Sequence, residues 1–293
     1  MTRDGEHLPA RPAAAAARPD PLPYAVVATD LDGTLLDREH RISARTARVL
    51  RDLTRSGVHL VFVTGRPIRW MQQVVTATGH RGLAVCSNGG VVLDLGSMSV
   101  VQHADIPATV LAQLIDVIGR EVAGISFGVE SPLTYTVPDD YPHDPRDPGP
   151  FAVVGDRSEL AAVEQPVKLI AKHPRHTGDD LLAACVAALE AAGLTGAAEL
   201  TISGAGGLVE IAAPGVSKAA TLATLCAEWC LGAADVVAFG DMPNDVQLLQ
   251  WAGRSYAMPN GHEQALAAAK CTAEFTSDED GVAIELIRLF DLG

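Results

Sequence analysis

The chain has 293 residues, 48% of them apolar and 20% charged, which suits one large globular domain or two of ordinary size. Lysine plus arginine number 22 against 36 for aspartate plus glutamate, a formal net charge of −14, so a broad basic surface for nucleic acid or an anionic membrane is excluded. No apolar run approaches the roughly 20 residues of a membrane span, and Cys86, Cys185, Cys226, Cys230 and Cys271, scattered through apolar segments, read as free thiols of a cytoplasmic protein.

Met1 to Pro23 is rich in Ala, Pro and Arg but lacks the apolar core of a secretory signal, and residues 1–22 read as a disordered leader. Ala25 to Ala28 is a short apolar run of the kind that forms a strand buried on both faces. It ends in Asp30 and Asp32, whose Cα atoms lie about 6 to 7 Å apart on one side of an extended chain. Two anions there repel by roughly 3 kcal/mol at an effective dielectric near 20, and both lose hydration. A hard cation with oxygen ligands, Mg2+ above all, removes both penalties. Turn chemistry alone accounts for an isolated Asp-x-Asp-Gly, and Gly33 and Thr34 do turn the chain out of the strand.

Ser43 to Ser56 has helical spacing with Ser43 as N-cap. Val58 to Val63 is a second buried strand, and Thr64-Gly65-Arg66-Pro67 at its end makes an anion-binding corner of hydroxyl, backbone N–H groups and helix start. Leu83 to Ser87 is a third strand, followed by a turn or hinge at Asn88-Gly89-Gly90. From residue 89 the character changes. Val91 to Asp94 and Met98 to Gln102 read as a hairpin, Ala108 to Arg120 as a helix, Gly124 to Glu130 as a strand, and Ser131 to Pro150, with Tyr135, Tyr141 and His143, as a loop. A strand over Val167 to His173, a helix over Asp179 to Ala192 and strands over Glu199 to Ser203 and Leu208 to Ile211 follow. Strands and helices do not alternate one for one here, so 89–213 reads as an α+β module inserted into an α/β domain of 23–88 and 214–293.

Lys218 opens a helix running to about Leu231, with Ser217 as N-cap, a position where a cation opposes the helix dipole. Asp235 to Phe239 is a fourth buried strand and delivers Gly240-Asp241-Met242-Pro243-Asn244-Asp245. Asn244 or Asp245 can cap the next helix, but capping does not account for Asp241. A strand near Ser255 to Met258 and helices from His262 to Lys270 and Gly281 to Leu292 complete the flanks.

In this order, Asp30-Leu31-Asp32-Gly33-Thr34-Leu35, Thr64-Gly65-Arg66, Gly215-Val216-Ser217-Lys218 and Gly240-Asp241-x-x-Asn244-Asp245 resemble the four motifs of the haloacid dehalogenase superfamily. The long insertion between the second and third motifs, and Asp278-Glu279-Asp280-Gly281-Val282, resemble its Cof-type branch. Met258-Pro259-Asn260-Gly261 departs from that branch, which more usually has Gly and Ala around the Asn. The resemblance implies a Rossmann-like parallel-sheet core with an α+β cap domain that sets specificity. It further implies a Mg2+-dependent phosphatase that hydrolyses a small phosphorylated metabolite, a sugar phosphate or similar monoester, through an aspartyl-phosphate. On that resemblance Asp30 is the nucleophile and Asp32 the general acid and base. Asp30, Asp32 through its main-chain carbonyl, Asp241 and, through water, Asp245 hold the metal. Leu31 through its N–H, Thr64, Gly65, Lys218 and Asn244 hold the phosphate, and Ser131 to Pro150 is the cap segment expected to meet the substrate. The same motifs would serve a phosphotransferase or phosphomutase that passes the phosphoryl group to a second hydroxyl instead of water.

Overall fold

A β-branched run such as Val26-Val27 has no face it can leave in water, and it becomes the middle of a sheet. The computed structural model describes residues 2–3, 22–142, 151–202 and 207–292. The chain opens with β1 (Thr2–Arg3), β2 (Val26–Thr29), α1 (Ala44–Arg55), β3 (His59–Val63), α2 (Met71–Thr78) and β4 (Leu83–Cys86). β5 (Val91–Asp94), β6 (Ser99–His103), α3 (Ala108–Glu121), β7 (Ser126–Glu130), β8 (Tyr135–Pro138) and β9 (Phe151–Val154) follow. Next come β10 (Lys168–Lys172), α4 (Gly178–Ala191), β11 (Glu199–Thr201) and β12 (Leu208–Ala212). The chain ends with α5 (Lys218–Glu228), β13 (Val236–Gly240), α6 (Val246–Trp251), β14 (Arg254–Ala257), α7 (Glu263–Ala268), β15 (Cys271–Thr272) and α8 (Gly281–Phe290).

The strands form two sheets, one ordered β1-β6-β5-β4-β3-β2-β13-β14-β15 and the other β11-β12-β10-β7-β8-β9. From β4 through β15 every pair in the first sheet is parallel. Period-two alternation divides the side chains between its faces. Val27, Phe62 and Phe239 join Leu50, Leu53 and Leu286 of α1 and α8, while Val26, Ala28, Val61 and Ala238 join Leu222, Leu225 and Leu248 of α5 and α6. Each such buried side chain contributes roughly 1.5–3 kcal/mol. Ser43 accepts from the Thr46 N–H at 3.0 Å and Ser217 from the Ala220 N–H at 3.2 Å, so these two expected N-caps form, whereas Asp245 at the start of α6 makes no side-chain cap bond. Among the described residues no helix is long and apolar enough to cross a membrane.

Two expectations need correction. The hairpin β5–β6 was expected within the insertion, but β5 pairs antiparallel with β4, so the boundary expected at residue 89 falls inside the first sheet. The cause is local: Ser87 (φ 49°), Asn88 (φ 55°) and Gly89 (φ 106°) are all left-handed, and three such residues reverse the chain tightly enough for it to pair with the strand it has just left. Nor is the segment from Ser131 a loop throughout, because 135–138 is β8, with Tyr135 and Tyr141 buried against one another and hydroxyl meeting hydroxyl. His143 to Pro150 lies outside the described residues. Of the leader expected to be disordered, Thr2–Arg3 pairs antiparallel with Gln102 and His103, and residues 4–21 lie outside the described ones.

All pairs of the second sheet are antiparallel except β8–β9. One face carries Phe127, Val129, Leu169, Val209 and Ile211 under α3 and α4. By alternation, Glu130, Lys168 and Glu210 occupy the opposite face.

Candidate active site

Parallel pairing aligns the carboxyl ends of β4, β3, β2 and β13 on one edge, with Thr29 level with Phe62 and Phe239. The Asp30 N–H still donates to the Phe239 carbonyl at 3.0 Å, so Asp30 is the last residue held in the ladder. Leu31 is wholly buried, as alternation requires, and the N–H groups of Leu35 and Leu36 donate to its carbonyl at 3.0 and 2.8 Å to close the turn. Gly33 adopts φ +77°, and a Cβ placed on it would lie 2.4 Å from Asp241 Oδ2. Only glycine lets the Asp241 carboxylate approach this closely. Thr34 Oγ1 then donates to Asp241 Oδ1 at 2.8 Å, clasping the loop after β2 to the loop after β13. Asn260 adds a second clasp, donating from Nδ2 to the Gly33 carbonyl at 2.8 Å.

Carboxylate oxygens of Asp30, Asp241 and Asp245 lie within 4.8 Å of one another, and all three residues are buried. Lys218, 1% exposed, donates from Nζ to Asp30 Oδ1 and Asp245 Oδ1, each at 2.7 Å. The other oxygen of Asp245 accepts from the N–H groups of Asp241 at 3.0 Å and Met242 at 3.1 Å. Asp245 therefore pins the loop and the lysine with both oxygens engaged. Burial lifts Asp30 well above the usual carboxylate range, and Asp245, Asp241 and Asp32 add to the rise that Lys218 opposes. Burial and then Asp245 push Asp241 up to about 7. Burial would lower Lys218, but Asp245 and Asp30 overcome it and raise the lysine. With all three carboxylates ionised, the single ammonium leaves two negative charges uncompensated, which is why the metal-free fold holds protons on Asp30 and Asp241 so tightly. Hard oxygen donors, a charge deficit of two and the gap that Gly33 leaves fit a divalent cation of the Mg2+ type.

Asp32 stands apart from these carboxylates. Arg66 grips it with Nε on Oδ2 at 2.6 Å and a second guanidinium contact to Oδ1, and His40 Nδ1 lies 2.8 Å from Oδ1. Burial would raise its pKa, yet the bonds from Arg66 and His40 prevail and hold it below the usual carboxylate value. Thr64 Oγ1 accepts from the Arg66 N–H at 3.1 Å, so the residues expected at the phosphate corner also aim the arginine. Register places Thr64 and Gly65 on the same sheet edge as Asp30. Asn244 Nδ2 donates to Asn88 Oδ1 at 3.0 Å, while Asn88 Nδ2 and Asn244 Oδ1 have no partner. Both line a cavity of about 200 Å³ between the sheets, with Lys218 and Ser217 on one side and Lys168, Glu199 and Glu210 on the other.

The expected Asp30, Asp241, Asp245 and Lys218 thus come together, and Asn244 opens on the same cavity as Lys218. Sequence reasoning passed over His40, and it read Asn88 as part of a turn or hinge. It also passed over Glu130, Lys168 and Glu210, although a lone charge inside Val167–Ala171 and another between Val209 and Ile211 were visible anomalies.

Residues 27–286 match the family model described as haloacid dehalogenase-like hydrolase. The 5-amino-6-(5-phospho-D-ribitylamino)uracil phosphatase YitU of Bacillus subtilis is 29% identical over 283 residues, 92% of this chain and 98% of that protein. The HMP-PP phosphatase of Yersinia enterocolitica is 28% identical over 253 residues, 82% of this chain and 86% of its own length. Among solved structures, a haloacid dehalogenase-like hydrolase from B. subtilis aligns with a TM-score of 0.75 at 22% identity, covering 89% of this chain and 98% of the other, a likeness of fold.

Proposed function

Because this chain belongs to the haloacid dehalogenase-like hydrolases, in their Cof-type branch, and is a phosphoric monoester hydrolase, we propose that it is a Mg2+-dependent phosphatase working through an aspartyl-phosphate on Asp30. The observation that carries this reading is the buried group of Asp30, Asp241 and Asp245 gathered around Lys218. Lys218 holds Asp30 by Oδ1 and keeps the carboxylate oriented. An Asp30 oxygen attacks phosphorus as the bond to the leaving oxygen breaks, and Asp32, which must first take up a proton against the hold of Arg66 and His40, passes that proton to the leaving oxygen. Asp32, now a carboxylate, takes a proton from water, whose oxygen attacks the same phosphorus and frees phosphate and Asp30. Thr64, the N–H groups of Leu31 and Gly65, Lys218 and Asn244 bind the phosphoryl oxygens. Mg2+, held by Asp30, Asp241, the main-chain carbonyl of Asp32 and, indirectly, Asp245, would neutralise charge on those oxygens and keep Asp30 ionised.

The second sheet is read as the cap, and the cavity between the sheets as the seat of the leaving group. Its wall presents carboxylates at Glu199 and Glu210 and the free carbonyl of Asn244, acceptors that suit hydroxyl donors on a small sugar phosphate or similar metabolite. One relative's name, that of YitU, carries a phosphorylated polyol. Cys86, Cys185 and Cys226 are buried and unpaired, which supports a cytoplasmic setting. Purified protein should hydrolyse p-nitrophenyl phosphate with Mg2+ and lose that activity with chelator or with Asp30→Asn. Full activity in the Asp30→Asn protein would remove Asp30 as nucleophile, and a panel of phosphate monoesters would rank substrates.

A further inference from the structure

Lys168 is 2% exposed at the start of β10, between Val167 and Leu169, a costly place for an ammonium. Two carboxylates of adjacent strands meet its charge: Glu130, opposite it in the β7 ladder, at 3.1 Å, and Glu210 on β12 at 2.6 Å. Burial would lower its pKa, but these two acids raise it and keep the lysine charged. The remaining contact leaves the sheet altogether: Nζ donates to the carbonyl of Gly65, in the loop after β3, at 2.9 Å. An ammonium has three N–H donors, and these three acceptors commit all of them. Glu130 in turn receives Arg69 Nη1 at 3.2 Å and Ser87 Oγ at 3.2 Å, both from the first sheet's side of the cavity.

A buried ion cluster is a weak source of stability, since apolar residues of similar volume often hold a fold as well or better. What they cannot supply is a directed donor to one peptide group. The peptide that Lys168 holds by its carbonyl is Gly65–Arg66, and the N–H of that same rigid unit donates to Thr64 Oγ1 at 3.1 Å. The plane is therefore clamped at both ends. Its orientation fixes where the Thr64 hydroxyl sits and where the Arg66 chain departs toward Asp32, which it grips from Nε at 2.6 Å.

We propose that Lys168 is a positioning residue: from the second sheet it clamps the Gly65–Arg66 peptide and so sets the Thr64 hydroxyl and the Arg66 guanidinium for phosphoryl transfer. The second sheet thereby completes the phosphate corner of the first. This inference rests on the phosphatase reading above, and the test separates the two.

The test uses the full chain with Mg2+. Lys168→Met with Glu210→Gln removes one positive and one negative charge together and leaves Glu130 paired with Arg69. Glu210→Gln alone keeps the Lys168 donor and isolates the loss of the cavity carboxylate. Inorganic phosphate binding is measured by titration calorimetry, p-nitrophenyl phosphate hydrolysis by initial rates, and melting by scanning calorimetry. The double variant is expected to bind phosphate at least about tenfold more weakly and to lose a similar factor in kcat/KM, on the scale of a displaced positioning group. Lys168→Arg, which retains charge and donors, should stay closer to wild type, and Glu210→Gln alone measures what the loss of the cavity carboxylate contributes to the double variant's defect. Measured well below the variant's melting temperature, where nearly every molecule is folded, the calorimetric Kd decides the matter even if the variant melts early. Phosphate binding and kcat/KM in the double variant within about threefold of wild type, too little to represent a lost positioning contact, would overturn the clamp while leaving the phosphatase reading intact. A wild type that hydrolyses nothing but binds phosphate in a Lys168-dependent way would overturn the activity and uphold the clamp.

Discussion

Asp241 is one of the buried carboxylates proposed to hold the metal, and replacing it by Asn tests that proposal through stability. The residue is 5% exposed, and its pKa rises from 3.8 to about 7, first through burial and then through Asp245. The folded chain therefore holds this proton more tightly than the unfolded chain. Without metal, its contribution to stability is full below pH about 4 and is lost as pH rises through about 7. A gap of roughly three pKa units corresponds to about 4 kcal/mol near pH 8. For a chain of this size that is roughly 8 °C in melting temperature. Asp241→Asn cannot ionise, yet it keeps the shape and the oxygen that accepts from Thr34 Oγ1. In chelator, the variant should melt several degrees above wild type near pH 8 and converge with it only as pH falls toward about 4. Saturating Mg2+ should raise the wild type steeply near pH 8 and the variant hardly at all. Scanning calorimetry over this pH range, with and without Mg2+, reads all three quantities. A variant less stable than metal-free wild type near pH 8, or equal stabilisation of both by Mg2+, would refute Asp241 as a ligand.

Two further substitutions probe the same edge. Asp32→Asn should slow alkyl phosphates, whose leaving oxygens need a proton, far more than p-nitrophenyl phosphate, by roughly the 10²- to 10⁴-fold of general acid catalysis; equal losses on both substrates would argue against a leaving-group acid. Gly33→Ala forces a Cβ to within 2.4 Å of Asp241 Oδ2 at φ +77°, so the Mg2+ concentration for half-maximal activity should rise by about tenfold or more, in keeping with strain of roughly 1–2 kcal/mol or above; an unchanged Mg2+ requirement would show that Asp241 can retreat without consequence.

Much of the parallel sheet was legible because its strands announce themselves locally. Val26-Val27, Leu60 to Val63 and Val236 to Phe239 are apolar on both faces, and only a covered parallel strand tolerates that. The same locality made Asp30 and Asp241 readable, since a carboxylate directly after such a strand is out of place unless something compensates it. The hairpin 91–103 failed the same treatment. Its own residues suit any antiparallel pair, and whether it joins β4 or the insertion depends on three consecutive left-handed residues, of which Asn88 and Gly89 are suited to that conformation by their chemistry but Ser87 is not. Tyr135 and Tyr141 misled in another way. Polar neighbours and prolines suggested a loop, whereas each ring is buried against the other and a cation stacks on each, Arg69 over Tyr135 and Lys172 over Tyr141.

The charges of the second sheet show where local reading stops. Glu130, Lys168 and Glu210 lie on three separate strands, the first two at strand ends and Glu210 in the middle of β12, and none alone names its partner. Their meaning lies in register: Lys168 stands opposite Glu130, while Glu210 stands opposite Ile170, two residues along on the same face. Only that pairing buries one ammonium between two carboxylates and turns its last donor toward Gly65. Arg66 poses the same difficulty, being visible as a cation at an anion-binding corner but bound in the folded chain to Asp32, 34 residues away. The side chains proposed to touch the phosphoryl group, Lys218 apart, follow closely on buried strands and can be found from their neighbours in sequence. Those that aim them belong to other strands, and their anomaly, a charge within an apolar run, identifies a partner only once the sheets are ordered.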